Sequence, residues 1–347
     1  MAPNNTDHIH VGQDGWLFLK TGTNDVLGQY ERPEETTELV WQWRSLIATR
    51  ERRLRAMGTL YRHVVAPEKL MVYDHRLDGI TIRPSASPAY RLLHTEPPSR
   101  RLSGPFGLYA AWRRRRRWRE TCIDLVTPLR AGRDATDLYC RTDTHWSFEG
   151  CYCAYAEICR ALGAEPRADL RDRPSFETDH DGDLGSAFDP PRRARSRTVM
   201  IQQDAVRTYA SPIVETREKA GLLHTLHVGA HVVYGNAKAT DPRRVVLFGD
   251  SFSHVMPYML TILLAETFSE LHFVWSTSLD WSYIAKVRPD IVLTEVAERF
   301  MVQLPDDTFS VEAYAEERFG AELAAARAEP VRTRASSQRR CTSETTG

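Results

Sequence analysis

The sequence lacks both a net charge and a long apolar run, and these absences exclude several classes of protein. Its 46 lysine and arginine residues balance 46 aspartate and glutamate residues, so the overall charge does not favour nucleic acid as a partner. Residues 258–265 form the longest apolar run near a predicted helix, far short of the ~20 residues that cross a bilayer. Residues 1–7 have neither the basic nor the apolar segment of a secretory signal. As written, the sequence predicts a cytoplasmic protein.

The six cysteines lack the spacing of a metal site. Four of them lie between Cys140 and Cys159, but Cys-x-Cys followed by a cysteine six residues later is not a zinc-ligand pattern. On a helix that begins near Glu149, Cys151 and Cys159 share one face, as small core residues do. We therefore predict structural thiols and no bound metal.

Strand and helix signals alternate along the chain, which predicts an α/β fold with a doubly wound, mainly parallel sheet flanked by helices. The predicted strands are residues 63–66, 245–248, 271–275 and 290–294, with strand ends at 123–125 and 137–140. The predicted helices are residues 34–57, 148–162, 255–268, 282–287 and 311–328. A hairpin is predicted at 11–19 and another over 199–233, and loop-rich insertions at 80–105 and 166–197. We predict a flexible lead-in (1–10), one catalytic domain (11–329) and a disordered tail (330–347).

Ser251 follows a buried strand and precedes a predicted helix, in the segment Gly249-Asp250-Ser251-Phe252. Functional groups gather at the carboxyl ends of strands in doubly wound sheets, and backbone N–H groups at a helix start can stabilise an oxyanion. A serine nucleophile also needs a base within hydrogen-bond reach. The alternative reading is that Ser251 only caps the helix, and spacing alone does not decide between the two.

Asp143-Thr144-His145 offers the base and its orienting acid. The carboxylate of Asp143 can accept from the ring N–H of His145, which fixes the tautomer and stabilises the imidazolium formed in catalysis. A surface Asp/His pair of no consequence is the alternative. His254, three residues after Ser251, is a rival base or a pocket residue, but it has no carboxylate partner in sequence.

Five consecutive arginines, residues 113–117, lie between Trp112 and Trp118. Such a run could bind a polyanion or a nucleotide phosphate. Consecutive residues point all round a helix, however, so a solvated helix is the favoured interpretation.

The ordered motifs resemble those of the alginate O-acetyltransferase group, SGNH-hydrolase-like proteins that acetylate bacterial exopolysaccharides. The resemblance spans residues 11–300 and rests on short segments that follow one another in the family's order: Gly12-x-Asp14-Gly15-Trp16-Leu17-Phe18, Asp143-Thr144-His145-Trp146, Gly182-Asp183-Leu184, Gly249-Asp250-Ser251-Phe252, Pro289-Asp290-Ile291-Val292 and Glu298-Arg299-Phe300. Unlike ordinary SGNH esterases, this group has its Asp-x-His before the serine, as here.

The resemblance implies an SGNH-hydrolase-like fold in which Ser251 is the nucleophile, His145 the base and Asp143 the orienting acid. It implies ping-pong transfer of acetyl to a carbohydrate hydroxyl, with no bound cofactor. Acetyl would come from acetyl-CoA or from a partner such as a membrane-bound acyltransferase. If the start of the sequence is misassigned, the family's usual setting implies the periplasm or cell envelope.

Four further residues are candidates for substrate binding. Of Trp16, Trp146, Trp275 and Trp281, which could stack on sugar rings, Trp146 is the best placed because it neighbours His145, although large apolar residues are usually core. Asn236 is a candidate oxyanion donor beside the Ser251 N–H, although Asn after Gly is more often a turn residue. His254 and Arg299 complete the set. The competing functions are a carbohydrate esterase with the same triad and a non-catalytic saccharide-binding protein.

Overall fold

The computed structural model describes residues 6–95, 105–256 and 258–328. The predicted tail, 330–347, and part of the predicted lead-in lie outside these residues. The strands are β1 (Ile9–Val11), β2 (Leu17–Leu19), β3 (Leu60–Ala66), β4 (Cys122–Ile123), β5 (Ser175–His180), β6 (Ala194–Val199), β7 (Val206–Ala210), β8 (His231–Gly235), β9 (Asp241–Gly249), β10 (Phe268–Trp275) and β11 (Ile291–Ala297). The α-helices are α1 (Gly28–Glu31), α2 (Thr37–Ala56), α3 (Lys69–Val72), α4 (Pro88–His94), α5 (Pro105–Thr121), α6 (Val126–Gly132), α7 (Phe148–Leu162), α8 (Gly182–Gly185), α9 (Pro212–Lys219), α10 (Leu260–Thr267), α11 (Trp281–Val287) and α12 (Val311–Ala328).

A seven-stranded sheet in the order β4-β3-β11-β9-β10-β8-β7 forms the centre of the described chain. The first five strands in this order run parallel, and β8 and β7 add antiparallel pairs at one edge. The doubly wound, mainly parallel α/β sheet predicted from the sequence is therefore confirmed. The central strand β9 lies between β11 and β10, so its carboxyl end opens between two neighbouring parallel strands.

The apolar run of β9 explains its central place. Val245, Val246, Leu247 and Phe248 are all fully buried, as expected for a strand covered on both faces. Each such side chain stabilises the fold by about 1.5–3 kcal/mol relative to an exposed one. The strand that carries the functional turn is thus among the most firmly held parts of the sheet.

Several predicted elements are confirmed closely, including α7, α12 and the hairpin of β1 and β2. The lead-in is wrong at its end, because Ile9 and His10 already belong to β1. The strand end predicted at 137–140 is only an isolated bridge between Tyr139 and Trp146.

Two loop predictions and one hairpin prediction are corrected. Residues 80–105 include α4, whose Ala89 and Leu92 are buried in the core. Residues 166–197 contain most of the β5–β6 hairpin, in which β5 is exposed and β6 half-buried, and which lacks the apolar alternation that signals a strand. The hairpin predicted over 199–233 is an antiparallel pair, β7 and β8, with α9 inserted between its strands.

In the described part of the chain, no helix combines the length and apolarity needed to span a bilayer.

Candidate active site

Ser251 lies just beyond the carboxyl end of β9, as predicted. It begins a single 3-10 turn, Ser251–Ser253, and α10 starts only at Leu260. The predicted helix start at residue 255 is therefore wrong. The sequence has a proline at position 257, and a proline disfavours helical backbone in the residue that precedes it.

A glycine at position 249 lets the chain turn tightly at this point. A Cβ there would lie 2.6 Å from Ser253 Oγ and 3.0 Å from Glu295 Oε2. Any other residue would push the turn away from β11.

Two buried carboxyl groups tie the turn to β11. Asp250 accepts hydrogen bonds from the backbone N–H groups of Phe252 (3.0 Å) and Ala297 (2.6 Å). Glu295 Oε2 accepts from the Asp250 N–H (3.1 Å) and from Ser253 Oγ (2.8 Å). Burial, followed by the charge of Asp250, raises the pKa of Glu295 well above its usual range. The same two effects disfavour two negative charges on this buried pair.

The Asp143–His145 pair meets Ser251 in a continuous hydrogen-bonded chain. His145 Nε2 lies 2.8 Å from Ser251 Oγ, and His145 Nδ1 lies 2.7 Å from Asp143 Oδ1. The backbone N–H of His145 also donates to Asp143 Oδ1 at 2.8 Å. With the ring proton on Nδ1, Nε2 is free to accept the serine proton, the arrangement that general-base activation of a serine requires.

The electrostatics of the pair suit this role. Burial alone would lower the pKa of His145, but the charge of Asp143, its hydrogen bond and the charge of Asp183 together raise the pKa above its usual value. Burial would raise the pKa of Asp143, but the imidazolium of His145 and its hydrogen bond hold that pKa well below the usual range. Asp143 therefore stays ionised and stabilises a protonated His145.

The end of β5 and the short helix α8 support Asp143 from its other side. Asp143 Oδ2 accepts the backbone N–H of Asp183 at 3.0 Å and lies 3.4 Å from His180 Nε2. The carboxylate of Asp183 in turn accepts the backbone N–H of Thr144 at 2.7 Å. Gly182 has a φ of +61°, and a Cβ there would lie 2.6 Å from that of Asp143. The Gly182-Asp183-Leu184 motif thus serves the site, whereas His180 carried no sequence signal.

Lys69 is a supporting residue that the sequence did not indicate. Its ammonium donates to the backbone carbonyls of Cys140 (2.9 Å), Arg141 (3.2 Å) and Asp143 (2.6 Å), so it fixes the loop that presents His145. Burial lowers the pKa of Lys69 to about 8. A lone lysine after a strand has no distinguishing pattern, which explains why sequence reasoning missed it.

The ligand atoms of Asp143, His145 and Asp183 all lie within 4.8 Å of one another, close enough to share a metal ion. Both ring nitrogens of His145 already have protein partners, Asp143 and Ser251. A metal would have to displace one of them, so this chemistry fits proton transfer better than metal binding.

A cavity of about 730 Å³ opens over Ser251. Its wall includes five histidines, three aspartates and several aromatic residues: His145, His180, His224, His227, His254, Asp143, Asp250, Asp306, Tyr258, Trp275 and Phe300. Among the described residues that line it there is no lysine or arginine. The cavity is therefore large enough for a sugar unit but has no fixed cation in its described wall.

His254 lines this cavity, as predicted for a pocket residue, but it does not contact Ser251 as a base. Its Nε2 lies 3.2 Å from the carbonyl oxygen of Leu223, so Nε2 carries the proton. Burial lowers the pKa of His254 to about 4, and its ring packs edge-on against Trp275. The geometry favours His145 as the base and leaves His254 as a neutral wall residue.

The prediction that Trp146 stacks on substrate is wrong. Its side chain is fully buried and packs edge-on against Phe252, beneath the site. Of the tryptophans considered for sugar contact, Trp275 is the one in the cavity wall. Its position as the last residue of β10, at the carboxyl edge of the sheet, is the signal that could have identified it.

The prediction that Asn236 donates to the oxyanion is also wrong. Its amide donates to the carbonyls of Ala265 (3.1 Å) and Glu266 (3.0 Å), so both donor hydrogens are used. Asn236 follows β8 at the edge where β9 begins, whereas Ser251 lies where β9 ends. The Ser251 backbone N–H has no hydrogen-bond partner among the described residues and remains the candidate oxyanion donor.

Arg299 lies beneath the cavity rather than in its described wall, which corrects the prediction of direct substrate contact. Its guanidinium pairs with the buried Glu68 at 2.8 Å and lies 5.8 Å from the centre of the Phe252 ring. The adjacent Glu298 accepts hydrogen bonds from Tyr30 (2.7 Å) and from the backbone of Glu68 (2.9 Å). Glu298 and Arg299 therefore stabilise the packing beneath the site.

These features define the class of protein: an SGNH-hydrolase-like α/β fold with a Ser–His–Asp arrangement at the end of its central strand. A family model described as "SGNH hydrolase-like domain, acetyltransferase AlgX" matches residues 9–270. The chain belongs to this acetyltransferase family.

Solved structures share the fold at low sequence identity. The O-acetyltransferase domain of Pseudomonas putida AlgJ is 16% identical, with a TM-score of 0.50 over 89% of this chain and 98% of that one. Bacillus cereus PatB1 is 14% identical, with a TM-score of 0.54 over 84% and 96% of the two chains. A DHHW family protein from Eubacterium siraeum is 15% identical, with a TM-score of 0.52 over 84% and 90%. No curated protein matches the sequence.

Proposed function

We propose that this chain is a serine-dependent O-acetyltransferase that moves acetyl through an acyl-serine intermediate onto a hydroxyl group of a polysaccharide. The observation that carries the proposal is the hydrogen-bonded chain from Asp143 through His145 to Ser251 at the base of an open cavity. Family membership supports acetyl as the group that is moved.

The mechanism follows from this geometry. Ser251 Oγ attacks the carbonyl carbon of the acetyl donor while His145 Nε2 takes the serine proton. The tetrahedral oxyanion is stabilised by the Ser251 N–H, and its collapse releases the donor's leaving group, which receives the proton from His145. A sugar hydroxyl then gives its proton to His145 and attacks the acyl-serine. Ser251 regains its proton as the acetylated sugar leaves.

The lining of the cavity also indicates which kind of acetyl donor it suits. Acetyl-CoA carries a diphosphate, and no lysine or arginine is among the described cavity residues that could pair with it. This favours acetyl delivered by a partner, such as a membrane-bound acyltransferase, over direct use of acetyl-CoA.

The test uses 4-nitrophenyl acetate as a surrogate donor, with and without an oligosaccharide acceptor. We expect nitrophenol release that requires Ser251, together with acetylated oligosaccharide detected by mass spectrometry. The Ser251→Ala variant is the control for both signals. Nitrophenol release with no acetylated sugar, whichever acceptor is added, would instead indicate a carbohydrate esterase. The absence of both signals would indicate a saccharide-binding protein.

A further inference from the structure

Helix α5 presents an exposed face on which apolar and basic side chains lie together. The face consists of two neighbouring rows of side chains, all of them exposed: Leu108, Tyr109, Trp112, Arg113, Arg116 and Arg119. Within each row the residues recur at spacings of three or four, which places them on one side of the helix. We call these six residues the outer face of α5.

The other side of α5 packs against the rest of the molecule. Ala111 and Trp118 lie about two helical turns apart, and both are half-buried. The indole N–H of Trp118 donates to the carbonyl oxygen of Leu92 at 3.1 Å. The five consecutive arginines, residues 113–117, are all exposed, as expected for the solvated helix predicted from the sequence. The outer face is therefore turned away from the core.

The amino-terminal half of the outer face is apolar. Leu108 is 73% exposed, which makes it the most exposed large apolar side chain in the described part of the chain. Tyr109 and Trp112 are more than half exposed, and their rings stack with centroids 6.0 Å apart. These three side chains lie within five positions, so they form one patch and are not scattered singly. Exposed apolar patches of this kind mark surfaces that bind a partner.

The carboxyl-terminal half of the outer face is basic. The guanidinium of Arg113 lies 5.9 Å from the centre of the Tyr109 ring, and that of Arg116 lies 5.7 Å from the centre of the Trp112 ring. These contacts keep the cations beside the aromatic rings, so a partner meets both together. Arg116 also pairs with Glu120 at 2.8 Å, but an exposed ion pair of this kind is weak in water.

This combination matches the chemistry of a bilayer surface. Leucine favours the acyl chains, and tyrosine and tryptophan favour the boundary between acyl chains and headgroups. Arginine keeps its apolar stem near that boundary and extends its charge to the phosphates, and anionic headgroups attract it. A soluble polyanion would pair with the arginines but leave Leu108 in water. A second copy of this chain would bring its own arginines to the contact, where like charges repel.

We infer that the outer face of α5 binds this protein to an anionic phospholipid surface. Leu108, Tyr109 and Trp112 enter the interfacial region of the bilayer, and the arginines of the same face contact the phosphates. Because the chain has no net charge, the attraction is local to this face. None of the six residues lines the catalytic cavity, so the inference does not depend on the proposed function.

The test is co-sedimentation of the full chain with vesicles of two compositions. One is phosphatidylcholine alone, and the other is an equimolar mixture of phosphatidylcholine and phosphatidylglycerol. We expect the mixed vesicles to bind at least about tenfold more tightly than the neutral ones. High salt should weaken this binding without abolishing it, because salt screens the arginines but not the apolar contact.

Two double variants test the apolar half of the face. L108S/W112S removes an aliphatic and an aromatic side chain from the outer face, and F176S/V206S removes an exposed pair of the same kinds elsewhere. We expect L108S/W112S to weaken binding to the mixed vesicles by about tenfold or more, and F176S/V206S by less than about twofold. Both variants should keep the melting temperature and the nitrophenyl acetate turnover of the parent protein.

A second pair of variants tests the basic half with equal changes in charge. R116Q/R119Q removes two arginines of the outer face, whereas R114Q/R117Q removes two arginines of the same helix that face α2. We expect the first to weaken binding to the mixed vesicles by about tenfold. The second should weaken it by less than about threefold, because these arginines lie farther from the headgroups.

Three results would overturn the inference. They are equal binding to the two vesicle compositions, equal weakening by L108S/W112S and F176S/V206S, and equal weakening by the two arginine variants. Self-association that L108S/W112S abolishes, measured by sedimentation velocity in the absence of any vesicle binding, would assign the outer face to a second copy of the chain. Turnover by Ser251 is measured without vesicles, so failure of membrane binding and failure of the proposed function are distinct results.

Discussion

Two cavities in the described part of the chain are similar in volume but differ in their lining. The one over Ser251, of about 730 Å³, is lined by histidines, aspartates and aromatic residues, and the other, of about 680 Å³ between α2 and α5, by seven arginines and one glutamate. The first contains the hydrogen-bonded chain from Asp143 through His145 to Ser251, which can hold and move a proton. The described lining of the second has no histidine, and its one carboxylate, Glu51, is 2.6 Å from Arg55. The comparison indicates that, of the two, the cavity over Ser251 carries the groups that acyl transfer requires.

The largest effect is expected for Ser251→Ala. Loss of the nucleophile should lower the rate of acetyl transfer from nitrophenyl acetate by about 10⁴-fold or more. The melting temperature should stay close to that of the parent protein, so that the loss reports chemistry and not unfolding. A rate that is retained in Ser251→Ala would contradict the account.

The Asp143→Asn variant should lose about 10³- to 10⁴-fold in rate, because the amide no longer fixes the tautomer of His145 or stabilises its charged form. The pH profile adds a sharper test. His145 acts as a base when neutral, and Asp143 raises its pKa above the usual value. In the parent protein kcat/KM should therefore rise with pH through a pKa above 6.5, the ordinary value for histidine. In the variant this limb should move to lower pH; an unmoved limb would exclude His145 as the titrating base.

A smaller effect is expected for Lys69→Met. The change removes the donor to three backbone carbonyls of the loop that presents His145 and leaves them without a partner, which costs about 1–3 kcal/mol of stability. We expect a lower melting temperature and about a tenfold lower kcat, since the His145–Ser251 contact loosens. Lys238→Met, at an exposed lysine, is the matched control. Equal behaviour of the two variants would contradict a positioning role.

The smallest effect in the catalytic cavity is expected for His254→Gln. The change keeps a polar wall residue and removes the rival base, so kcat should fall by less than about tenfold, whereas His145→Gln should abolish measurable turnover. A collapse of kcat in His254→Gln would instead identify His254 as the base.

The catalytic residues were predictable from the sequence because their positions are set locally. Ser251 follows a buried strand, and Asp143 lies two residues from His145, so short motifs in order were sufficient to propose their meeting. The residues that hold the catalytic groups in place were not predictable, because Lys69, His180 and Glu295 reach the site from separate elements. Trp146 and Asn236 were misassigned because their chemistry suits a site while tertiary packing places them elsewhere. The cavity between α2 and α5 was missed for the same reason, since half of its lining is contributed by α2.

The central claim is that Ser251 carries the acetyl group. Its most direct test is to quench a reaction with nitrophenyl acetate early and measure the intact protein and its peptides by mass spectrometry. We predict one added acetyl group on the peptide that contains Ser251, and none on that peptide in Ser251→Ala. Acetyl on another residue with turnover intact, or full turnover by Ser251→Ala, would contradict the account.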